Sequence, residues 1–203
     1  MEKRGNMRQK SDSRRQCILE AATSLFREVG FGRASMAQIS ARVGGSKATL
    51  YSYFSSKEEL FATAMIDAMQ EQGNAMIDQL DPGEPDVRKV LLRFGEAYLN
   101  LITSSQAMSI VRTAIAESAH GSNLGATLYR LGPKQGWCDI SAYIAEAMER
   151  GNLPKGDPHM VAMHLKGLLE GGILVPMLFG AELELDKKSA VQGAVDAFMR
   201  AYG

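Results

Sequence analysis

The sequence predicts an all-α protein, with an N-terminal three-helix domain built around a helix-turn-helix and a larger helical domain after it. Three observations carry this. Residues 35 to 59, SMAQISARVGGSKATLYSYFSSKEE, hold three helix starts separated by two short breaks. Apolar residues recur at three- and four-residue spacing from residue 13 almost to the end. No alternating apolar-polar run is long enough to form a sheet, and no internal repeat is present.

The starts follow from capping chemistry. Ser35 precedes Gln38 by three residues, and Ser55 and Ser56 precede Glu58 and Glu59 at the same distance. Such pairs satisfy the orphan amides of a first helical turn, so helices are expected from Met36 and from Lys57. Gly44 and Gly45 end the helix that Ser35 begins, because glycine takes the left-handed cap conformation without a steric penalty, and Ser46 caps the next one. That next helix is expected over Lys47 to Phe54. Ile39, Val43, Leu50 and Phe54 supply the inward face, leaving Lys47, Ala48, Thr49, Tyr51, Ser52 and Tyr53 outside. Ahead of it, Ile18, Leu19, Ala22, Leu25, Phe26 and Val29 share one helical face from Ser13, and Gly30 provides the stop. Residues 1–12 read as a basic flexible arm, whose Lys3, Arg4, Arg8 and Lys10 either follow phosphates or stay in solvent. The reading domain is therefore expected over 13–60.

The run from Arg15 to Met65, about a quarter of the chain, resembles the DNA-binding domain of the TetR family of transcriptional regulators. The resemblance rests on Ile18, Ala21, Ala22, Leu25, Phe26, Gly30 and Phe31. It continues through Ile39, Gly44, Ser46, Lys47, Thr49, Leu50, Tyr51, Tyr53 and Phe54 to Ser56, Lys57, Glu58, Glu59 and Leu60. Three positions depart from the family pattern: Ser40 stands for an alanine, Gly45 for a branched apolar residue in the turn, and Ala48 for a frequent glycine. A slightly looser turn is expected from them.

Beyond residue 60 the pattern stays helical. Lys57 to Gln79 reads as one helix, about 34 Å long at about 1.5 Å per residue, which carries Leu60, Phe61, Ala64, Met65, Ala68 and Met69 on a single stripe. The breaker-rich Asp81-Pro82-Gly83-Glu84-Pro85 precedes an amphipathic helix marked by Val87, Leu91, Phe94, Tyr98, Leu101 and Ile102. Helices are also expected over 108–118 and 135–150, with an irregular glycine-punctuated stretch between them. Asp157-Pro158 opens another helix, since proline suits a first turn, and that helix is expected to bend or end near Pro176. A last one spans 187–201.

The resemblance implies that residues 61–203 form a helical ligand-binding and dimerisation domain, and that the last two long helices pair with those of a second copy. Gly167, Gly171, Ala190 and Ala194 would permit close helix approach there, with Leu168 and Phe198 adding apolar area; packing within one chain is the competing reading. The resemblance also implies a small-molecule cavity. Its candidate lining is Met65, Met69, Phe94, Tyr98, Met108, Val111, Ile115, Trp137, Tyr143 and Met177, residues that equally serve as core. No buried charge cluster is visible in these stripes, which favours an apolar or aromatic effector. For DNA, Lys47, Thr49 and Ser52 are the candidate base-edge contacts, with Ala48 against a thymine methyl and Tyr51 beside them. The resemblance puts Tyr53 and Lys57 on the sugar-phosphate backbone. Both tyrosines also suit packing.

Charge agrees with this division of labour. The chain is neutral overall, but residues 1–57 hold 11 Lys and Arg against 4 Asp and Glu, a net of +7 balanced by −7 in the rest. A basic segment that coincides with a helix-turn-helix points to double-stranded DNA. The remaining composition, 45% apolar and 23% charged, is ordinary for a globular chain. Cys17 and Cys138 are too isolated for a disulfide framework or a zinc site, which suits a reducing cytoplasm. No apolar run reaches the roughly 18 to 20 residues that span a bilayer, and the first 15 residues lack an apolar signal core, so no membrane association is expected. No cofactor, metal or catalytic residue is expected either: His120, His159 and His164 form no metal-binding pair, and the Gly44–Thr49 stretch lacks the strand and the ending of a phosphate loop. The sequence therefore predicts a non-enzymatic, ligand-responsive DNA-binding regulator, in first place a repressor of a pseudo-palindromic operator that acts as a homodimer. The alternative is a helical adaptor whose helix-turn-helix holds a protein partner.

Overall fold

The computed structural model describes residues 2–203, with side chains from residue 11 onward. The arm residues Lys3, Arg4, Arg8 and Lys10 therefore lie outside the described side chains. Twelve helices and no strand occur among the described residues. The chain divides into two compact units, Met1–Met69 with Thr113–Gly132, and Gln70–Arg112 with Pro133–Gly203. The N-terminal unit takes in residues 61–69 beyond the 13–60 reading domain and also part of the chain's middle.

In the N-terminal unit, α1 (Glu2–Arg33) keeps its helical path until Gly30, whose φ of 78° and ψ of 165° break it as the sequence predicts. α2 (Met36–Val43) starts on a complete Ser35–Gln38 capping box. α3 (Lys47–Tyr53) starts on Ser46, and α4 (Lys57–Asp67) starts on Ser56. Glu59 reaches back to Ser55, accepting its amide at 2.7 Å and its hydroxyl at 2.6 Å. These bonds hold the Glu59 carboxyl below the usual carboxylate range, the hydroxyl contributing most. The core is the inward face the periodicity selects: Ile18, Leu19, Ala22, Leu25 and Phe26 of α1 meet Ile39, Leu50, Phe54, Leu60 and Phe61, all buried. Phe26, Phe31 and Phe61 form a three-ring cluster with centroids 4.9 to 6.1 Å apart. The second part of α7 (Ser105–Ser118) and α8 (Leu124–Leu131) complete this unit, with α8 packed on α4. Part of the stretch expected to be irregular is therefore a two-turn helix.

The single helix expected over residues 57–79 is two helices. After α4, the Met69 amide bonds to the Ile66 carbonyl three residues back, at 3.0 Å, and the tightened turn separates α4 from α5 (Gln70–Ile77). The interruption contains neither glycine nor proline, so the apolar stripe gave no sign of it.

The C-terminal unit is built on α6 (Val87–Ile102), α9 (Pro133–Glu149), α10 (Pro158–Glu170) and α12 (Lys187–Tyr202), with α10 against α9 and α12, and α12 against α6. Phe94, Leu91, Leu99, Ile140, Ile144, Leu165, Leu169, Val195 and Phe198 fill its core and are almost wholly buried. Gly95 is the point of closest approach: a β-carbon there would lie 2.8 Å from Val191 and 2.9 Å from Leu169. Asp157 caps α10, whose first residue is Pro158, as expected. The helix then stops earlier than expected, at Glu170, because Gly171 and Gly172 turn the chain and Gly172 takes a φ of 74°. Pro176 ends nothing; it sits in the first turn of a separate short helix, α11 (Leu174–Phe179).

Candidate nucleic-acid interface

α3 presents the predicted residues on one surface. Lys47, Ala48, Thr49, Tyr51 and Ser52 are exposed and Tyr53 is half-buried, while Leu50 points into the core and Phe54, just past the helix end, is buried. Lys47 makes no ion pair among the described residues. The Ser46 hydroxyl accepts the Thr49 amide at 3.0 Å and lies 2.9 Å from the Thr49 hydroxyl. Ser52 donates its own hydroxyl to the Thr49 carbonyl at 2.7 Å, which leaves its oxygen lone pairs for an outside donor. Lys57 departs from the expected arrangement. Its ammonium turns inward, donates to the carbonyls of Phe31 at 3.0 Å and Ala34 at 3.3 Å, and stands 4.2 Å from the Phe31 ring centroid. It fastens the start of α4 to the turn between α1 and α2.

The turn itself overturns the expectation of looseness. Gly44 takes the left-handed conformation, φ 69° and ψ 56°, which glycine alone adopts cheaply. The buried Ser40 hydroxyl donates to the Gly45 carbonyl at 2.7 Å, and the Arg14 guanidinium of α1 donates to the Gly44 carbonyl at 3.3 Å. Two of the departures from the family pattern, Ser40 and Gly45, thus meet each other and fasten the turn. α2 is held to α1 by a two-pronged pair between Arg42 and Glu28, one prong at 2.8 Å, with Ser24 donating to the same carboxylate at 2.8 Å. Arg42 first, and then Ser24, holds the Glu28 carboxyl down to about 2.

The ten candidate effector residues are divided between the two units. Met65, Met69 and Ile115 belong to the N-terminal unit, where Met65 is core and Ile115 is 56% exposed. Met108, Val111, Phe94, Tyr98, Trp137, Tyr143 and Met177 belong to the C-terminal unit. There Phe94 stacks on Tyr98, centroids 5.8 Å apart, and Trp137 meets Tyr98 edge-on at 5.4 Å. Contrary to the expectation of no charge cluster, a polar group sits beside these rings. Tyr98 donates its hydroxyl to Glu170, Lys166 pairs with the same carboxylate, and the Lys166 ammonium lies 5.6 Å from the Trp137 ring centroid. Burial, reinforced by the Glu170 charge, pushes the Tyr98 phenol well above its ordinary value. The sequence signal for this group was available: Lys166 and Glu170 stand four apart on an otherwise apolar helix face. Tyr143 lies apart from it, lining a cleft with Glu84, Glu146 and Arg150 that has room for about one water. Burial first, and next the Asp81 carboxylate, pushes the Tyr143 phenol up to about 12.

Of the residues singled out for close helix approach, Ala190, Ala194 and Phe198 are buried within the chain, whereas Gly167, Leu168 and Gly171 face outward. Met160 and Met163 extend that outward face of α10. No described helix is long and apolar enough to cross a membrane.

Known proteins share both the motif and the architecture. Residues 18–64 match the family described as bacterial regulatory proteins, tetR family, and residues 89–203 match the C-terminal domain of AefR-like transcriptional repressors. The HTH-type transcriptional regulator BetI of Cronobacter sakazakii is 27% identical over 175 residues, covering 85% of this chain and 84% of that protein. Among solved structures, a TetR-family regulator of Mesorhizobium loti superposes with a TM-score of 0.78 at 23% identity, over 95% of this chain and 98% of that one. The flavonoid-responsive regulator FrrA superposes with a TM-score of 0.73 at 25% identity, over 94% of this chain and 97% of that one.

Proposed function

Because this chain belongs to the TetR family of transcriptional regulators, we propose that it binds a pseudo-palindromic operator as a homodimer, represses transcription there, and is released by a small apolar or aromatic effector. The observation that carries the reading is α3, whose Lys47, Ala48, Thr49, Tyr51 and Ser52 are all exposed above a buried Leu50. A two-turn helix of this kind fits a major groove: Lys47 suits guanine acceptors, Thr49 and Ser52 suit either partner of a base pair, and Ala48 suits a thymine methyl. Tyr51 and Tyr53 flank the groove, Tyr53 toward the backbone. Lys57 contributes at most one remaining donor to a phosphate, since its other contacts hold protein carbonyls.

One such helix covers only a few base pairs, so selectivity requires two, about 34 Å apart on successive grooves. The outward face of α10, with Met160, Met163, Gly167, Leu168 and Gly171, together with α12, is the surface we assign to the second copy. Repression is supported by the family to which the C-terminal domain is similar. The aromatic effector class is supported by Phe94, Tyr98 and Trp137 and by the likeness to FrrA. Release requires only that the effector bind two dimer shapes unequally, and a few kcal/mol of difference suffices.

The test is selection of bound duplexes from a random library by the effector-free protein, followed by affinity against salt. Two half-sites about ten base pairs apart are expected. The affinity should fall by roughly 0.9 log unit per phosphate contact for each decade of salt. Enrichment of nothing, with flat salt dependence, would remove the DNA reading in favour of a protein partner.

A further inference from the structure

We propose that Ser40 and Arg14 are positioning residues for sequence reading, which set the departure of α3 by holding the two turn carbonyls and touch no nucleotide themselves. The proposal rests on the DNA-binding reading above. A serine in a helix ordinarily returns its hydroxyl to a carbonyl of its own preceding turn. Ser40 instead donates forward, out of α2, to the Gly45 carbonyl at 2.7 Å, from a side chain that is only 5% exposed. From the opposite side, α1 sends Arg14 to the neighbouring Gly44 carbonyl at 3.3 Å. The glycine at 45 belongs to the same device. A β-carbon there would lie 2.7 Å from Arg14 Nη2, so any larger residue displaces the guanidinium. Gly45 has no left-handed φ, so a larger residue there meets no backbone strain and acts only by moving the Arg14 guanidinium aside.

The consequence lies in where α3 is anchored. Its core contacts, Leu50 and the following Phe54, belong to its middle and end. Its start, where Lys47, Ala48 and Thr49 stand, has no buried side chain and is capped by Ser46 directly after the turn. A turn released from Ser40 or Arg14 leaves the inner half of the helix in place and lets the reading half swing. Base-edge hydrogen bonds fail under such a displacement, while phosphate attraction hardly changes.

The experiment uses the full-length protein and a duplex selected as above, with fluorescence anisotropy on the selected and a random duplex at several salt concentrations. Ser40→Ala and Arg14→Ala are each expected to weaken the selected duplex about five-fold, the equivalent of one net hydrogen bond, with random-duplex affinity and salt slope unchanged and the melting temperature lowered by no more than about 2 to 4 °C. Gly45→Ala is expected to weaken the selected duplex similarly in the wild-type background and to have no further effect in Arg14→Ala. Equal selectivity in Ser40→Ala and wild type would overturn the proposal. So would a salt slope lowered by roughly 0.9 in Arg14→Ala, which would make Arg14 a phosphate contact, or a Gly45→Ala effect that persists without Arg14. Wild-type protein that prefers no duplex overturns the DNA-binding reading, and this proposal with it, whereas a selective wild type with equally selective variants overturns this proposal alone.

Discussion

The two compact units are held together by different physics. In the N-terminal unit, the short helices α2, α3 and α4, of seven to eleven residues, are placed by side chains that reach backbone groups: Ser35, Ser46 and Ser56 at helix starts, Ser40 and Arg14 at the turn, Lys57 on the carbonyls of Phe31 and Ala34. In the C-terminal unit, helices of 13 to 17 residues are placed by mutual burial around Phe94, Leu165 and Phe198. Its polar ties join positions far apart in the chain, Tyr98 to Glu170, Arg88 to Asp196, Lys187 to Thr103. A surface that must present particular side chains at fixed angles is built from directional bonds. The C-terminal body is built from non-directional contact, which can repack.

The sharpest way to break the contrast is to remove core from the C-terminal unit. Phe94→Ala leaves a cavity beside Tyr98 and is expected to cost about 3 to 5 kcal/mol, read by denaturant titration of the fluorescence of Trp137, the sole tryptophan. Overfilling comes next. Gly95→Ala drives a β-carbon against Val191 and Leu169, and a loss of roughly 1 to 3 kcal/mol is expected in the same titration. In the N-terminal unit, where single bonds do the placing, Ser35→Ala should cost about 1 kcal/mol in hydrogen-exchange protection of α2 and leave Trp137 fluorescence unchanged. A loss above the core figure there would erase the distinction.

The smallest effect concerns Glu28. Its folded pKa, about 2, lies below the ordinary 4.5, so the Arg42 pair contributes fully above pH 4.5 and is lost as the pH falls toward 2. In Arg42→Gln the Glu28 carboxyl should titrate back near its ordinary range, as carboxyl-carbon NMR would record. An unmoved midpoint would mean that Ser24, not Arg42, holds it down.

The same contrast explains what the sequence disclosed. Caps and turns act over three to five residues, so Ser35–Gln38, Gly44 and Ser46 could be placed from spacing, and with them the exposed set on α3. The interruption at Ala68–Met69 could not, because no breaker marks it and the apolar stripe runs through. The end of α10 is written in Gly171-Gly172, whereas Pro176, the more conspicuous breaker, falls where a first helical turn accepts it. Lys166 and Glu170 stand four apart and are legible as a pair, but that Tyr98 joins them depends on α6 and α10 packing across more than seventy residues, information that periodicity does not contain. The inward contacts of Lys57 are unreadable for a related reason: a lysine in a first helical turn suggests an anion, and only the fold shows that the carbonyls of Phe31 and Ala34 lie within reach.

The most direct measurement of the central claim, that the exposed start of α3 reads base edges, is the affinity of Lys47→Ala for a selected and a random duplex beside wild type. Loss of a base contact should lower the selected affinity by about 1 to 3 kcal/mol and reduce the ratio between the two duplexes, with the protein's mass in solution the same as wild type. An unaltered ratio, or no ratio in the wild type, would contradict it.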